Sequence, residues 1–514
     1  MKTRLSCGLW IAVATVSIAT AAVDLPDPGV RAPAVAGRFY EEDAARLRAG
    51  VEALLRDAIP ARGGEPIGLL APHAGYVFSG QLAADAWRQV QDRDVDVVVI
   101  LGTNHTVAPF RGAAVFTGQG LRTPLGTVPV DRGLAARVVE ASGGLIAANA
   151  DAHRREHSIE VQLPFLQAAL PGARVLPLVV GTTDPETCRR LGEVLADALR
   201  DCRPVIVASS DLCHYPDAAT AVAVDSEVLA AAASLAPAEL VRTVTAAERR
   251  RLPGLDTCAC GEGALLVMLH AARGLGANHA TVLDRVHSGD TALGEPGRVV
   301  GYGALVASRA EDPGSDTTAI EPPPPADPDR PLDAGEQTSL LGFARRTVAQ
   351  YLTTGTAPLA RGLAPRLGAQ QGAFVTLHDE RGRLRGCIGH LAEDRPLGVV
   401  VGAMAIQAAV GDRRFTPVDA AELAGLRVEI SVLSPLEQVS GPGDVRVGTD
   451  GVMIRKDGRQ AVFLPQVAVE QGWDRDTLLA ELCRKAGLPR DAWRRPGCEF
   501  LTFQAQVFGE DSRR

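Results

Sequence analysis

Two unlike bodies are written into this chain: an α/β layer domain and, beyond a proline-rich spacer, a smaller α+β domain. Three observations carry this. Up to residue 308, continuous apolar runs alternate with helical stretches; residues 309–335 are polar and rich in proline; after them, strands separated by turn signals predominate. At 514 residues the chain exceeds one ordinary core, because domains run to roughly 100 to 250 residues.

Composition narrows the functions. Hydrophobic content of 46% and charged content of 22% are those of a soluble globular protein, and a net charge of −8 gives no electrostatic footprint for nucleic acid. Aromatics, at 4%, are too sparse for base-stacking platforms, so a small-molecule substrate or a protein partner is expected, and no nucleic acid. Nine cysteines are scattered without a Cys-x-x-Cys, which excludes a zinc ribbon and a disulfide scaffold but leaves a Cys188–Cys202 bridge open.

Residues 1–22 read as a Sec-type signal peptide. Met1-Lys2-Thr3-Arg4 is the charged region, residues 9–18 the apolar one, and Ala19-Thr20-Ala21-Ala22 the small-residue site, with cleavage after Ala21 or Ala22. Export to a periplasmic or other extracytoplasmic space is expected. The alternative is an uncleaved anchor, the one case in which a membrane is involved.

Three apolar runs then end in ligand-bearing loops. They run into Pro72-His73, into Gly102-Thr103-Asn104-His105, and into Ser209-Ser210-Asp211-Leu212-Cys213-His214. Runs of this kind suit strands of a parallel sheet buried on both faces, and such sheets gather ligands beyond their carboxyl ends. A metal site at that rim is expected. Helices are expected over 83–91, 187–199 and 264–272, and Glu156-His157-Ser158-Ile159-Glu160 reads as an amphipathic helix. There, two carboxylates four residues apart share a face, one of them an acid or base or a ligand-orienting group, with Glu160 taken for the acid–base role. Cys258-Ala259-Cys260 precedes the last helix, where a helix N-terminus lowers a thiol pKa and suits a thiolate ligand or a nucleophile.

In the second body, 374–377 and 462–464 read as strands, with hairpin turns at Asp379-Glu380-Arg381-Gly382 and Lys456-Asp457-Gly458-Arg459. Helices are expected over 336–353, 396–410 and 475–486 beside one antiparallel sheet. Arg385-Gly386-Cys387-Ile388-Gly389-His390 presents Cys387 between two glycines, either a buried structural thiol or a nucleophile that His378 or His390 would activate.

At these motifs the chain resembles known families. Ala71-Pro72-His73-Ala74-Gly75-Tyr76, Leu101-Gly102-Thr103-Asn104-His105, Glu156-His157-Ser158-Ile159-Glu160, Ser209-Ser210-Asp211-Leu212-Cys213-His214-Tyr215, Ser288-Gly289-Asp290 and Gly301-Tyr302-Gly303 are similar to the motif series of the Memo family, protein B of the AmmeMemoRadiSam system, over residues 31–308. Arg385 to His390, with Gly411-Asp412-Arg413-Arg414-Phe415, Glu429 to Pro435 and Leu464-Pro465-Gln466, resembles the AMMECR family, protein A of that system, over 336–510. The first resemblance implies the fold of class III extradiol dioxygenases and a metal site of His73, His105 and Cys260, with Cys258 an alternative to Cys260. Asp211 and His214 would lie close by, and His214 or His157 would pass protons.

Those dioxygenases hold Fe(II) with two His and a carboxylate. A thiolate in the third place softens the site, so iron is expected first and copper second, and ring cleavage is not implied. The second resemblance implies a pocket around Arg385, Cys387, Asp412 and Arg413. Together they imply a metal-dependent oxidoreductase acting with a radical S-adenosylmethionine partner, which this chain is not, since it lacks a Cys-x3-Cys-x2-Cys motif. The alternative is a non-catalytic adaptor or a metal carrier with a vestigial pocket.

Overall fold

The computed structural model describes residues 25–310 and 327–510. The expected signal peptide and most of the spacer lie outside the described residues. Among those described, no helix is long and apolar enough to cross a membrane, and all eight cysteines are free.

The first body is an eight-stranded mixed sheet covered on both faces. Its strands are β1 (Glu65–Ala71), β2 (Val97–Thr103), β3 (Ala113–Val115), β4 (Ile146–Ala148), β5 (Arg174–Val180), β6 (Pro204–Ser209), β7 (His279–His287) and β8 (Gly301–Arg309). Their order is β7-β8-β1-β6-β2-β5-β3-β4. Neighbours β1, β6, β2 and β5 pair in parallel, whereas β7, β8 and β3 add antiparallel pairings around them. The apolar run of β2 shows why it forms a central strand. Val97, Val99 and Leu101 enter the core on one face, Val98 and Ile100 the core on the other, and all are buried. Each buried aliphatic side chain contributes roughly 1.5–3 kcal/mol, so period-two burial on both faces fixes the strand.

One face carries α1 (Ala44–Arg56), α2 (Tyr76–Arg88) and α3 (Leu163–Ala169); the other carries α4 (Pro185–Ala198), α5 (Ala218–Ala233) and α6 (Glu262–Gly274). Helix α2 begins at Tyr76, seven residues before the expected start, because Gly75 ends the loop after His73 and Tyr76 is already buried.

The second body holds two antiparallel sheets instead of the expected one. Strands β9 (Ala373–His378), β10 (Leu384–His390) and β11 (Arg427–Leu433) belong to one, and β12 (Glu437–Val439), β13 (Gly451–Lys456), β14 (Arg459–Phe463) and β15 (Glu499–Phe503) form the other. Strand β16 (Ala505–Gly509) completes the first, giving β10-β9-β11-β16 and β12-β15-β13-β14. Both expected hairpin turns are present; the second puts Asp457 at φ 50° and Gly458 at φ 71°, the left-handed pair of a type I′ turn. Helices α7 (Ala334–Thr354), α8 (Leu397–Ile406) and α9 (Arg475–Lys485) pack on these sheets, and a π-helical turn (Gln407–Gly411) continues α8.

The described end of the spacer is pinned to the second body. Pro328 O accepts from Arg366 Nη2 and Gln371 Nε2, both at 2.8 Å, and Arg330 O accepts from Arg366 Nε at 2.9 Å. The bodies also touch directly: the Arg361 guanidinium, from the loop after α7, reaches the buried Asp85 carboxylate on α2 and Asp284 on β7.

Candidate metal centre

The strand ends of β1, β2 and β6 bring their loops together. His73, His105 and Cys260 present one ligand atom each within 4.8 Å of one another. Two further groups with the same spacing overlap them: Asp211, His214 and Cys260, and His105, Glu156 and His157. His73 and Asp211 are buried, at 2% and 5% exposure, whereas the side chains of His105 and His157 keep 29% and 20%, so the centre opens on their side.

Hydrogen bonds fix which nitrogen of each histidine is free. Trp87 Nε1 can only donate, and it donates to Gln162 Oε1 at 2.8 Å, so the Gln162 amide must offer Nε2 to Pro72 O and Ser209 Oγ, both at 2.9 Å. Ser209 in turn donates its hydroxyl to Ser158 O at 2.6 Å. Its remaining lone pair accepts from His73 Nδ1 at 3.2 Å, which puts the proton on Nδ1. His73 Nε2 is left with a lone pair, 3.1 Å from Cys260 Sγ.

His105 is held in the same sense. Glu156 Oε1 accepts from His105 Nδ1 at 3.0 Å and from the amides of His157 and Ser158, both at 2.9 Å, while Oε2 accepts from His105 N at 2.8 Å. Burial alone would raise the Glu156 carboxyl, but the bonds from His105 and Ser158 hold it down at about 2, so it is an acceptor at neutral pH. His105 thus points Nε2 away from the carboxylate, the arrangement by which outer carboxylates orient metal-binding imidazoles.

Electrostatics keep the other histidines neutral. Burial, then the neighbouring His105, pushes His73 down to about 3; burial, then His73, pushes His157 down to about 4. Burial also lowers His214 against the pull of Asp211, and its Nε2 is buried without a hydrogen-bond partner. Asp211 is raised by burial although its Oδ1 accepts from the amides of His73 (2.7 Å) and Ala74 (3.2 Å).

Two expectations need correction here. The Cys260 thiol is raised by burial and then by Asp211, not lowered: α6 starts only at Glu262, and desolvation outweighs the helix terminus. Cys258 is also buried, its thiol pushed up to about 11 by that burial, and it joins none of the three groups. The other correction is Glu160. Glu156 and His157 lie in irregular backbone, 158–159 form a turn and helical structure begins only at Glu160, so the two carboxylates do not share a helix face. Glu160 is buried in a separate knot, accepting from Arg31 Nη1 (2.6 Å), Tyr40 OH (2.7 Å) and the amides of Ala34 and Val35. Glu156 stands at the centre in its place.

Sequence reading also missed Ser209, Gln162 and Trp87. Only the position of Ser209 at the end of an apolar run, beside Asp211, signalled its role.

Cys387 lies outside this cluster, on β10 of the second body. Thr376 Oγ1 donates to its sulfur at 3.3 Å, and its amide donates to Asp412 Oδ2 at 2.9 Å. The Arg414 guanidinium, not that of Arg413, bonds Asp412 at 2.6 Å and Cys387 O at 3.2 Å, and with burial opposing it holds the Asp412 carboxyl down at about 2. Arg385 is engaged by Glu422, and His390 by Asp394 at 2.6 Å, so neither serves the thiol.

The donor set suits a borderline-soft transition ion: two imidazoles with free Nε2 atoms, a thiol, and an unpartnered His214 Nε2 beside them. A doubly covered α/β sheet carrying such a centre at its strand ends, fused to an antiparallel α+β body, defines a two-module candidate metalloprotein. Comparison with known proteins fits this division. The family model described as Memo-like protein matches residues 31–306, and that described as AMMECR1 matches 341–508. A MEMO1 family protein of Methanosarcina mazei is 35% identical over 280 residues, covering 54% of this chain and 98% of its own. A protein of Methanothermobacter thermautotrophicus is 40% identical over 188 residues, covering 35% of this chain and 97% of its own. A crystal structure of an uncharacterized protein from Pyrococcus horikoshii, 38% identical, covers 35% of this chain and 94% of its own at a TM-score of 0.34. The chain belongs to the Memo family and carries an AMMECR1 domain after it.

Proposed function

We propose that the first body is a metal-dependent oxidoreductase, with mononuclear iron first and copper second, acting on a small substrate with which the AMMECR1 domain assists. The observation that carries this is the convergence of a ring nitrogen from each of His73 and His105 with Cys260 Sγ, with outer hydrogen bonds occupying Nδ1 of both imidazoles. Likeness to the class III extradiol dioxygenase fold belongs to the same proposal, and the thiol in place of their carboxylate separates this centre from ring cleavage.

A redox metal held there would supply electron transfer and a Lewis-acidic position for a chelating substrate. The chain's own residues do the rest. His157 and His214, neutral at physiological pH, would accept a proton from substrate, and the Glu156 carboxylate would hold His105. Binding a cation through Cys260 requires the raised thiol to give up its proton. Export by the N-terminal segment, and a functional partnership with a radical S-adenosylmethionine protein, complete the proposal.

Elemental analysis of protein purified without oxygen tests it, with His73→Ala and Cys260→Ala alongside. About one iron or copper per chain, lost in both variants, is expected, together with metal-dependent oxygen uptake once a substrate is supplied. No metal after anaerobic reconstitution would discard the oxidoreductase in favour of an adaptor. Metal without any turnover would favour a carrier.

A further inference from the structure

We propose that Arg395, in the second body, is a positioning residue for His214 in the first: the AMMECR1 domain holds one wall of the metal centre. Arg395 is buried, at 5% exposure, just before α8. Its Nη1 donates to Gly294 O of the first body at 2.8 Å, and its Nε has no hydrogen-bond partner. Among the described residues no carboxylate pairs with this guanidinium, so its hydrogen bond to Gly294 O is what offsets part of its burial.

Gly294 belongs to the loop between β7 and β8, and that loop is folded tightly. A Cβ on Gly294 would stand 1.7 Å from Ser288 O, so the backbone at this point runs too close to Ser288 for any side chain. Gly294 N donates to Thr291 O at 3.3 Å, Thr291 Oγ1 to Ser288 O at 2.7 Å, and Ser288 N to Val300 O at 2.8 Å, with Val300 N returning to Ser288 Oγ at 3.1 Å. Val300 pairs with His214 in an antiparallel bridge, and Tyr215 N donates to Val299 O at 2.6 Å. The path from Arg395 to His214 is thus continuous.

The last link holds strain. Tyr215 sits at φ 71°, a conformation that costs a non-glycine residue free energy and persists only where its surroundings impose it. One side of those surroundings comes from the same loop, where the Arg298 guanidinium lies 3.8 Å over the Tyr215 ring and Val299 O takes its amide; on the other side His214 N donates to Thr257 O at 3.0 Å and His214 O accepts from Asp256 N at 3.1 Å. Loosening the loop would remove the side of this frame that holds Tyr215 at its positive φ, leaving His214 held from residues 256 and 257 alone and its ring free to shift. Arg361, reaching Asp284 on β7, grips the strand that leads into the loop, so the second body holds the loop's approach as well as its tip.

The test uses the full chain without metal, so a protein that bound no metal would leave the outcome readable. Arg395→Met keeps the packing volume and removes the bond; Arg46→Ala is the control, because it breaks a contact between the bodies at Leu352 O, remote from the loop in sequence and hydrogen bonding. Trypsin cleavage at Arg298 is followed together with the imidazole 15N signals of His214, assigned by their absence in His214→Gln. Cleavage about tenfold faster in Arg395→Met, with shifted His214 signals and both unchanged in Arg46→Ala, is the expected result. Unchanged cleavage, or a freed loop with His214 signals as in the wild type, would overturn the assignment. If Arg395→Met does not fold, Arg395→Lys, which keeps the cation but not the planar fork, is read by the same two criteria.

Discussion

Ser209 shows how much of the centre depends on groups that would never touch a ligand. Its hydroxyl decides the tautomer of His73, and Gln162 and Trp87 decide its own orientation. Ser209→Ala should therefore weaken metal binding by about 10–100-fold, the usual effect of losing an outer partner, while the described fold persists. Competition titration against a chelator measures this; unaltered affinity would contradict the tautomer argument. Asp225 makes a separate prediction. It is buried, Cys213 N donates to its Oδ1 at 3.0 Å, and burial pushes its carboxyl up to about 6 against the bonds from the Cys213 thiol and amide. A folded-state pKa above the unfolded value near 4 means that stability is fully present below pH 4 and is lost as pH rises through 6, by something on the order of 2–3 kcal/mol. Asp225→Asn should flatten that slope in urea melts taken from pH 4 to 7.

The elements that position the centre were readable where apolar runs were long. The cores of β1, β2 and β6, and the histidines that follow the first two, stand where the alternation of burial put them, because a run buried on both faces has few other solutions. The segment 156–162 misled because two carboxylates four apart suggest a helix, whereas Glu160 is drawn into a buried pair with Arg31, 129 residues away in sequence. No local signal reports such a partner. The same holds for the second sheet of the second body, whose short strands carry turn signals but no mark of which sheet they join. Gly102 is a place where an element fixes the site. A Cβ there would stand 2.6 Å from both Ser158 Oγ and Ile159 Cγ1, so β2 can approach the 158–159 turn only without a side chain. Gly102→Ala should cost about 1–3 kcal/mol by overpacking and displace Glu156 and His157 together. Thermal melts and the histidine ring spectra would show both effects.

Across the whole molecule, two bodies that read in sequence as tethered units are docked through buried charge. Asp85 is fully buried, its carboxyl raised by that burial, and its carboxylate accepts from the Arg361 guanidinium of the other body and from the amide of Ile59. Removing one partner of a buried pair leaves the other charge uncompensated, so Arg361→Ala should destabilise the chain by about 3 kcal/mol and Asp85→Asn in that background should recover most of the loss. Additive losses in the double variant would contradict the docking account. The seam escaped sequence analysis because neither Arg361 nor Arg395 sits in a recognisable motif. Only the fold brings them to Asp85, Asp284 and Gly294.

X-ray absorption at the metal edge, on protein loaded anaerobically with Fe(II), tests the account at its root. One sulfur scatterer with two imidazoles, and loss of the sulfur in Cys260→Ser, is the predicted result. A shell of nitrogen and oxygen alone in the wild type would contradict it.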